Sequence, residues 1–341
     1  MSLITKFSNS KIESVYTAVP SNAVKNDFFI DFFDEDQINK AIKMIGVQNR
    51  FWTDKTTSSL DLSVECAARM FSDLDVERDM IEAVIFITQT PDLQMPASSF
   101  FAHDKLGLKE ECAVFDVNLG CSGYVYGLWM ASSLINSGLK KVLLLAGETP
   151  SKIMDLSDPS TSFLFGDAGS ATLLSQTETS FDSNFLINSR GSGASTITIP
   201  QGIKGNSLYD VETINDPSKL YMDGANVFNF TLKEIPKIIK EMEASLSIES
   251  SAWRYVLLHQ ANKFMLDHIY KKAKIEEKSR LINIEKFGNT SSVTLPLLLT
   301  DNDYEKSQNR ILMIGFGVGL SWAAVDLVHD DDLKTCHFEY E

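Results

Sequence analysis

Between residues 113 and 135 an apolar, β-branched run, Ala113-Val-Phe-Asp-Val117, passes through Asn118, Leu119 and Gly120 into a helical pattern that opens on Cys121. A strand that feeds directly into a helix is half of a βαβ unit, so it commits the surrounding chain to an α/β arrangement with buried strands. The same turn marks where chemistry belongs. A thiol in the first turn of a helix faces unpaired backbone N–H groups and the positive end of the helix dipole, and both favour thiolate. A cysteine is more often a small core hydrophobe. Gly120 and Gly123 set Cys121 apart, because they let backbone and ligand come close to the sulfur.

Strand-like runs recur at 83–88, 113–117, 141–145 and 170–174, with helical periodicity at about 59–74, 97–106 and 121–137. That order predicts a largely parallel, buried sheet. The second half repeats it, with a helical stretch at 224–245, a strand at 255–258, a helix at 261–273, a Gly-Asn turn at 288–289, a helix at 291–299 and a strand at 310–314. Each half ends on a glycine-containing loop that feeds a final strand, within 163–174 and 311–327. The stretches 188–219 and 301–309 read as irregular. A chain of 341 residues is long enough for two core-forming units. The expected division is 1–176, carrying Cys121, and 177–341.

A formal net charge of -15 speaks against a nucleic-acid partner, because duplex binding leans on neutralising phosphates with Lys and Arg. Lys263, Lys271, Lys272 and Lys274 form a local basic cluster whose ordinary reading is a solvated helix face. No run approaches the roughly 18 apolar residues of a membrane span, and residues 1–10 hold no signal-length apolar stretch. A cytoplasmic protein without a membrane span is therefore expected. Cys66, Cys112, Cys121 and Cys336 lack CxxC or Cys/His ligand spacing, so neither a metal site nor a disulfide framework is expected.

Three more segments carry reactive residue types at strand ends or turns. His259 follows Tyr255-Val-Leu-Leu258, at the carboxyl edge of a strand, the usual place for active groups in an open α/β sheet. Asn289 lies in Phe287-Gly-Asn-Thr-Ser-Ser292, a turn entering a helix, where a capping role is the ordinary reading. The loop Gly315-Phe-Gly-Val-Gly-Leu320 can present backbone N–H groups to an oxyanion, although such glycine runs are more often tight turns. His103, His268, His329 and His337 read as structural histidines.

Taken together, Asp116-Val-Asn-Leu-Gly-Cys-Ser-Gly123, Phe165-Gly-Asp-Ala-Gly169, His259-Gln-Ala-Asn262 and Phe287-Gly-Asn-Thr-Ser-Ser292 resemble, in order and spacing, the thiolase-like condensing enzymes, and within them β-ketoacyl-[acyl-carrier-protein] synthase III. The resemblance runs from Pro20 to about Leu327. It implies a thiolase-like fold: two similar α/β halves stacked as an α-β-α-β-α sandwich. It implies Cys121 as acyl-carrying nucleophile, His259 and Asn289 as decarboxylation partners, and the backbone N–H groups of Cys121 and Val318 as an oxyanion site. The implied reaction is a decarboxylating condensation of an acyl starter with malonyl-carrier protein in fatty acid or related biosynthesis. Coenzyme A or phosphopantetheine thioesters serve as substrates, and no cofactor is implied. The resemblance also implies a homodimer in which Met95 closes the acyl pocket of the partner, and carrier contacts at Lys152, Asn262, Lys263, Lys271, Lys272 and Lys274.

The chain departs from the family pattern at several places. Phe316-Gly-Val-Gly319 stands where the family carries Phe-Gly-Gly-Gly, so a branched side chain sits at the oxyanion position. Lys40 and Met44 replace a Trp and an Arg that clasp the coenzyme A adenine, Lys152 replaces a second Arg, and Phe264 replaces a carrier-docking Arg. Delivery of the starter on a carrier protein is therefore expected over delivery on free coenzyme A. The alternatives are a type III polyketide synthase-like enzyme and a non-condensing acyltransferase that uses the same cysteine. A degradative thiolase is disfavoured because the glycine loop holds no second cysteine. A hydroxymethylglutaryl-type synthase is disfavoured because no glutamate stands near Gln89-Thr90-Pro91.

Overall fold

The structure, a computed structural model, describes residues 4–179, 181–201, 216–302, 310–328 and 332–341. His329, most of the 301–309 segment and part of the 188–219 segment lie outside the described residues. The first half runs β1 (Ile4–Phe7), β2 (Ser10–Pro20), β3 (Ala23–Lys25), α1 (Glu35–Ile45), β4 (Asn49–Phe51), α2 (Ser59–Asp73), β5 (Ala83–Ile87), α3 (Ser98–Leu106), β6 (Ala113–Val117), α4 (Gly123–Asn136), β7 (Lys141–Glu148) and β8 (Ala168–Gln176). The second runs β9 (Ser183–Ser189), β10 (Ile197–Thr198), β11 (Tyr221–Met222), α5 (Gly224–Leu246), β12 (Tyr255–Leu258), α6 (Lys263–Ala273), α7 (Ile284–Phe287), α8 (Thr294–Asp301), β13 (Arg310–Gly317), β14 (Ser321–Val328) and β15 (Lys334–Tyr340).

Two main sheets form, in the orders β15-β2-β8-β7-β5-β6 and β1-β9-β14-β13-β12. The expectation of a largely parallel sheet is corrected. In the first sheet β2–β8 and β8–β7 are antiparallel, and in the second only β12–β13 is parallel. The cause lies in the connections. No full α-helix of crossover length separates β7 from β8, and β14 returns from β13 through the short turn at 318–320, whereas parallel neighbours need a long crossover. The terminal strands are exchanged: β1 pairs with β9 in the second sheet, and β15 pairs with β2 in the first.

Strand periodicity explains the layering. Ala83, Ile85 and Ile87 of β5 join the central core with Val142, Leu144 and Ala146 of β7, while Val84, Phe86, Leu143 and Leu145 join an outer core with α2 and α3. In the second sheet Ile311 and Met313 face the centre, and Leu312 and Ile314 face the outer core with α5 and α6. Both faces of each sheet are thus covered, which is why these strands read as continuous apolar runs. α4 and α8 touch both sheets and fill the middle, giving the α-β-α-β-α order. The Tyr124 hydroxyl meets Thr172 Oγ1 at 2.9 Å in one sheet, and Tyr126 donates to the Asn188 carbonyl at 2.8 Å in the other. α4 is therefore oriented by polar contacts to both walls, and its N-terminal end is the point where Cys121 stands.

Two motif residues prove to be structural. Asp116 accepts from the backbone N–H groups of Ser98 (2.6 Å) and Ser99 (2.8 Å) and so caps α3 from outside, satisfying donors that the helix cannot. Asp167, buried, accepts from Thr53 and Ser151 and ties those two segments together.

Candidate active site

Cys121 lies two residues before the first residue of α4, beside its N-cap Ser122, and is 7% exposed. Gly317 packs directly against it: a Cβ there would stand 2.8 Å from the Cys121 Cβ and 3.0 Å from Sγ, and Gly317 has φ +159°. A glycine is required for the β13 end to approach the sulfur this closely. The backbone N–H groups of Cys121 itself and of Val318 both act on the sulfur, the pair expected for the oxyanion. The Val318 side chain packs against an apolar cluster of Ile197, Val227 and Met265, so the branched residue shapes the pocket wall while its N–H stays available.

Burial opposes the thiolate that the helix start favours. Burial pushes the Cys121 thiol up to about 12, and a nearby carboxylate, Glu148, raises it further, against the opposing pull of Ser291 and the two backbone N–H groups. Desolvation outweighs the helix terminus because Cys121 is buried at the foot of the pocket. Cys112 precedes β6 and is pushed up to about 11, also by burial.

His259 follows β12 and is buried. Burial holds its imidazolium down to about 3, only partly offset by a hydrogen bond to the Ser291 backbone, so the ring is neutral at ordinary pH. Its Nδ1 lies 2.7 Å from Thr294 Oγ1. Where Thr294 donates to the Ser291 carbonyl (3.1 Å), it accepts from Nδ1–H and leaves Nε2 as a lone pair; turned toward Nδ1, the same hydroxyl leaves Nε2–H as a donor. Asn289 is oriented unambiguously by its neighbours. Its Oδ1 accepts from the Ser291 N–H at 2.9 Å, while its Nδ2 makes only a 3.5 Å contact to the Ala261 carbonyl and keeps donor capacity toward the pocket. The Phe165 segment fixes its backbone, since Asn289 N–H donates to the Leu164 carbonyl (2.9 Å) and Gly166 N–H donates to the Asn289 carbonyl (3.1 Å).

Cys121, His259, Asn289 and Val318 line one cavity of about 430 Å³. A further polar residue on that wall, Glu148, was not expected. It ends β7, is 1% exposed, and takes hydrogen bonds from Gln89 N–H (3.1 Å), Thr90 Oγ1 (3.1 Å), Ser291 Oγ (3.3 Å) and Ser292 Oγ (3.3 Å). The absence of a glutamate near Gln89 in sequence therefore does not mean its absence in space. The available signal was an acidic residue closing the apolar run 142–146 at the sheet edge that also carries Cys121.

With this geometry in hand, the chain can be set beside known proteins. Residues 115–191 match the model for 3-Oxoacyl-[acyl-carrier-protein (ACP)] synthase III, and residues 244–328 match its C-terminal model. A putative 3-oxoacyl-[acyl-carrier-protein] synthase 3 of Campylobacter jejuni is 32% identical over 340 residues, covering 96% of each chain. The chain belongs to the synthase III family. The β-ketoacyl-[acyl-carrier-protein] synthase III of Clostridium perfringens is 31% identical over 93% of this chain and 98% of its own. The crystal structure of a 3-oxoacyl-(acyl-carrier protein) synthase from Burkholderia xenovorans superposes with a TM-score of 0.96 at 36% identity, covering 99% of each chain. Synthase III members are acyltransferases, and the thiolase-like architecture expected from the motifs is the one found.

The mouth of this synthase III pocket is apolar. Met44, 61% exposed, and Phe264 line it, and Phe264 stacks on Phe228 at 5.6 Å and lies 4.2 Å from the His268 ring. The basic residues around it have other engagements. Lys263 pairs with Glu285 at 2.9 Å, Lys272 donates to the Leu232 carbonyl at 2.8 Å, and Lys152 donates to the Thr57 carbonyl. Lys271 and Lys274 are exposed at the end of α6, and Lys40 is exposed on α1. Asn262 caps α6, accepting from Met265 N–H at 2.8 Å, and also lines the pocket. Met95 is away from that cavity and 80% exposed, on a surface that also shows Leu93, Phe100 and Phe101. His103, His268 and His337 are each hydrogen-bonded to a neighbour. Among the described residues no cluster of three His, Cys, Asp or Glu could hold a metal, and no helix is long and apolar enough to cross a membrane.

Proposed function

We propose that the chain condenses an acyl starter with malonyl-carrier protein, releasing CO2, through an acyl-Cys121 intermediate. The observation that carries the reading is the convergence of a buried thiol, a neutral imidazole and an oriented amide on one cavity. Cys121 attacks the starter thioester and the carrier or coenzyme A thiol leaves. The N–H groups of Cys121 and Val318 hold the tetrahedral oxyanion. The malonyl thioester carbonyl then accepts from Asn289 Nδ2 and from His259 Nε2–H, with Thr294 turned toward Nδ1. Loss of CO2 leaves an enolate whose oxygen these two donors hold. Neutral donors suit the step, since a carboxylate in their place would repel the charge that develops. The enolate carbon attacks acyl-Cys121, and the β-ketoacyl product leaves. No metal or resident cofactor takes part; the thioesters are substrates.

One observation favours a second reading. In its setting toward the Ser291 carbonyl, Thr294 leaves His259 Nε2 as a hydrogen-bond acceptor, which suits orienting an incoming alcohol or amine for acyl transfer without condensation. Following CO2 release from malonyl thioester alongside acylation of Cys121 separates the two. CO2 release dependent on His259 and Asn289 supports condensation; acylation with no CO2 release supports simple transfer.

We further propose that the starter arrives on a carrier protein and that two chains pair. Met44 and Lys40 offer neither the aromatic surface nor the planar guanidinium that would hold an adenine, whereas the phosphopantetheine arm needs only the tunnel. Lys271, Lys272 and Lys274 at the exposed end of α6, with Asn262 on the pocket wall, Lys263 beside it in the chain and Lys152 next to the pocket-lining Ile153, suit an acidic carrier. The exposed apolar surface around Met95 suits a homodimer interface, with Met95 reaching the partner's acyl pocket. A cytoplasmic location fits a substrate set of carrier thioesters. Light scattering at micromolar concentration tests the pairing, and a monomer would contradict it.

A further inference from the structure

We infer that Glu148 is the proton store of the Cys121 sulfur: through the Ser291 hydroxyl its carboxylate receives the proton that the thiol loses on attack, and returns it when the sulfur is released. The inference rests on the acyl-Cys121 chemistry proposed above. The route is continuous. Cys121 Sγ lies 3.9 Å from Ser291 Oγ, within the longer reach of sulfur, and Ser291 Oγ donates to Glu148 Oε1 at 3.3 Å. Gly120 makes room for it, since a Cβ there would stand 3.1 Å from Ser291 Oγ and 2.3 Å from Gln89 Oε1.

The surroundings leave the carboxyl no other partner for its charge. It meets the Gln89 backbone, Thr90, Ser291 and Ser292, all uncharged, and the titratable groups on the same cavity wall are Cys121 and His259, the latter neutral. Burial pushes Glu148 up to about 8, so the acid and its anion are both accessible near neutral pH. Thiolate and carboxylate cannot both stand in this dry wall, so the pair shares one proton.

The steps balance. In acylation the Sγ–acyl bond forms and the carrier C–S bond breaks. The Cys121 proton passes to Ser291 Oγ as the Ser291 proton passes to ionised Glu148, and the departing sulfur takes a proton from water. In condensation the enolate carbon bonds to the acyl carbon and the Sγ–acyl bond breaks. The proton returns from Glu148 through Ser291 to Sγ. Over the cycle one proton is taken from water and one CO2 is released.

The test compares Glu148→Gln and Ser291→Ala with wild type in two measurements. The first is single-turnover acylation at neutral pH, by intact mass. Both variants are expected to be slower by about a hundredfold, the usual reach of a positioned acid–base group. The second is iodoacetamide alkylation of Cys121 from pH 6 to 10, which needs no thioester. Wild type and Ser291→Ala should level off as Glu148 ionises and repels a thiolate, while Glu148→Gln should keep rising and exceed wild type by about tenfold or more at pH 10, where the second charge is gone. Slower acylation with faster alkylation in one variant cannot come from misfolding. Wild-type acylation rates in Glu148→Gln, or superimposable alkylation profiles, would overturn the inference. Should wild type accept no acyl group from any thioester, the functional reading fails, and the alkylation profiles still decide whether sulfur and carboxyl share a proton. If Glu148→Gln does not fold, an unchanged acylation rate in Ser291→Ala overturns the route by itself.

Discussion

At the floor of the pocket Cys121, His259, Asn289 and Glu148 are buried and each is held by a hydrogen bond, whereas at its mouth Met44 and Phe264 stand exposed and Lys263 is occupied by Glu285. At Cys121, His259 and Asn289 the floor keeps the motifs from which the family was expected, with Val318 as its departure, and the mouth departs at Lys40, Met44, Lys152 and Phe264. Physics explains why the two ends vary independently. A polar group in a dry wall needs every partner it has, so changing one member leaves another unsatisfied. An exposed apolar or cationic side chain has water as its alternative, and replacing it changes what docks without disturbing what reacts.

Removing the sulfur should have the largest effect on the floor. Cys121→Ala should abolish the acyl-enzyme altogether, since no neighbouring side chain offers a nucleophile at that helix start; full acylation in this variant, read by intact mass, would remove the floor from the account. Both thiols are raised by burial, but Cys121 lines the pocket and Cys112 does not, so iodoacetamide should reach and label Cys121 ahead of Cys112.

Next in size come the donors. His259→Ala and Asn289→Ala should each lose about 3 kcal/mol of transition-state stabilisation, about a hundredfold in CO2 release, and keep at least partial acylation. Because His259 is held neutral, with its pKa depressed to about 3, it gains a proton only below that value. CO2 release by a Cys121→Ala background should therefore show no step between pH 5 and 7 from this ring. An inflection near 6.5 that disappears in His259→Ala would show an imidazole far less buried than the one described.

Smaller effects sharpen the boundary. Gly317→Ala places a methyl group against the sulfur and should slow acylation by about tenfold through displacement of the Val318 N–H, with less effect on CO2 release. At the mouth the expected changes are a few-fold. Added salt should slow carrier-dependent acylation as surface charges are screened, and Phe264→Arg should speed it by restoring a cation at the tunnel entrance. Faster acylation from coenzyme A than from a cognate carrier, at equal concentration and with the same acyl group, would contradict carrier delivery.

Much of this floor was legible before the fold. Strands 113–117 and 255–258 fall where their apolar runs predict: β12 is buried throughout, and β6, a half-buried edge strand, is marked by its β-branched, apolar composition. Cys121, His259 and Asn289 stand at strand ends and turns, where local glycine and polar residues announce them. Sheet direction was less legible, since antiparallel β8 and β14 depend on connection geometry rather than on pattern. The exchange of β1 and β15 was invisible for the same reason: a strand's residues do not name its neighbour. Glu148 escaped because its partners lie 59 residues away at Gln89 and 143 away at Ser291. The helix start that favours thiolate is visible in the sequence, whereas the burial that opposes it is set by the fold.

Labour at the floor is divided, with Cys121 carrying the acyl group and His259 and Asn289 driving decarboxylation. Single-turnover measurement of acylation and of CO2 release, separately and on the same Asn289→Ala protein, tests this division most directly. The account predicts acylation retained at least in part, with CO2 release from malonyl thioester reduced about a hundredfold. Decarboxylation at the wild-type rate in this variant would contradict it.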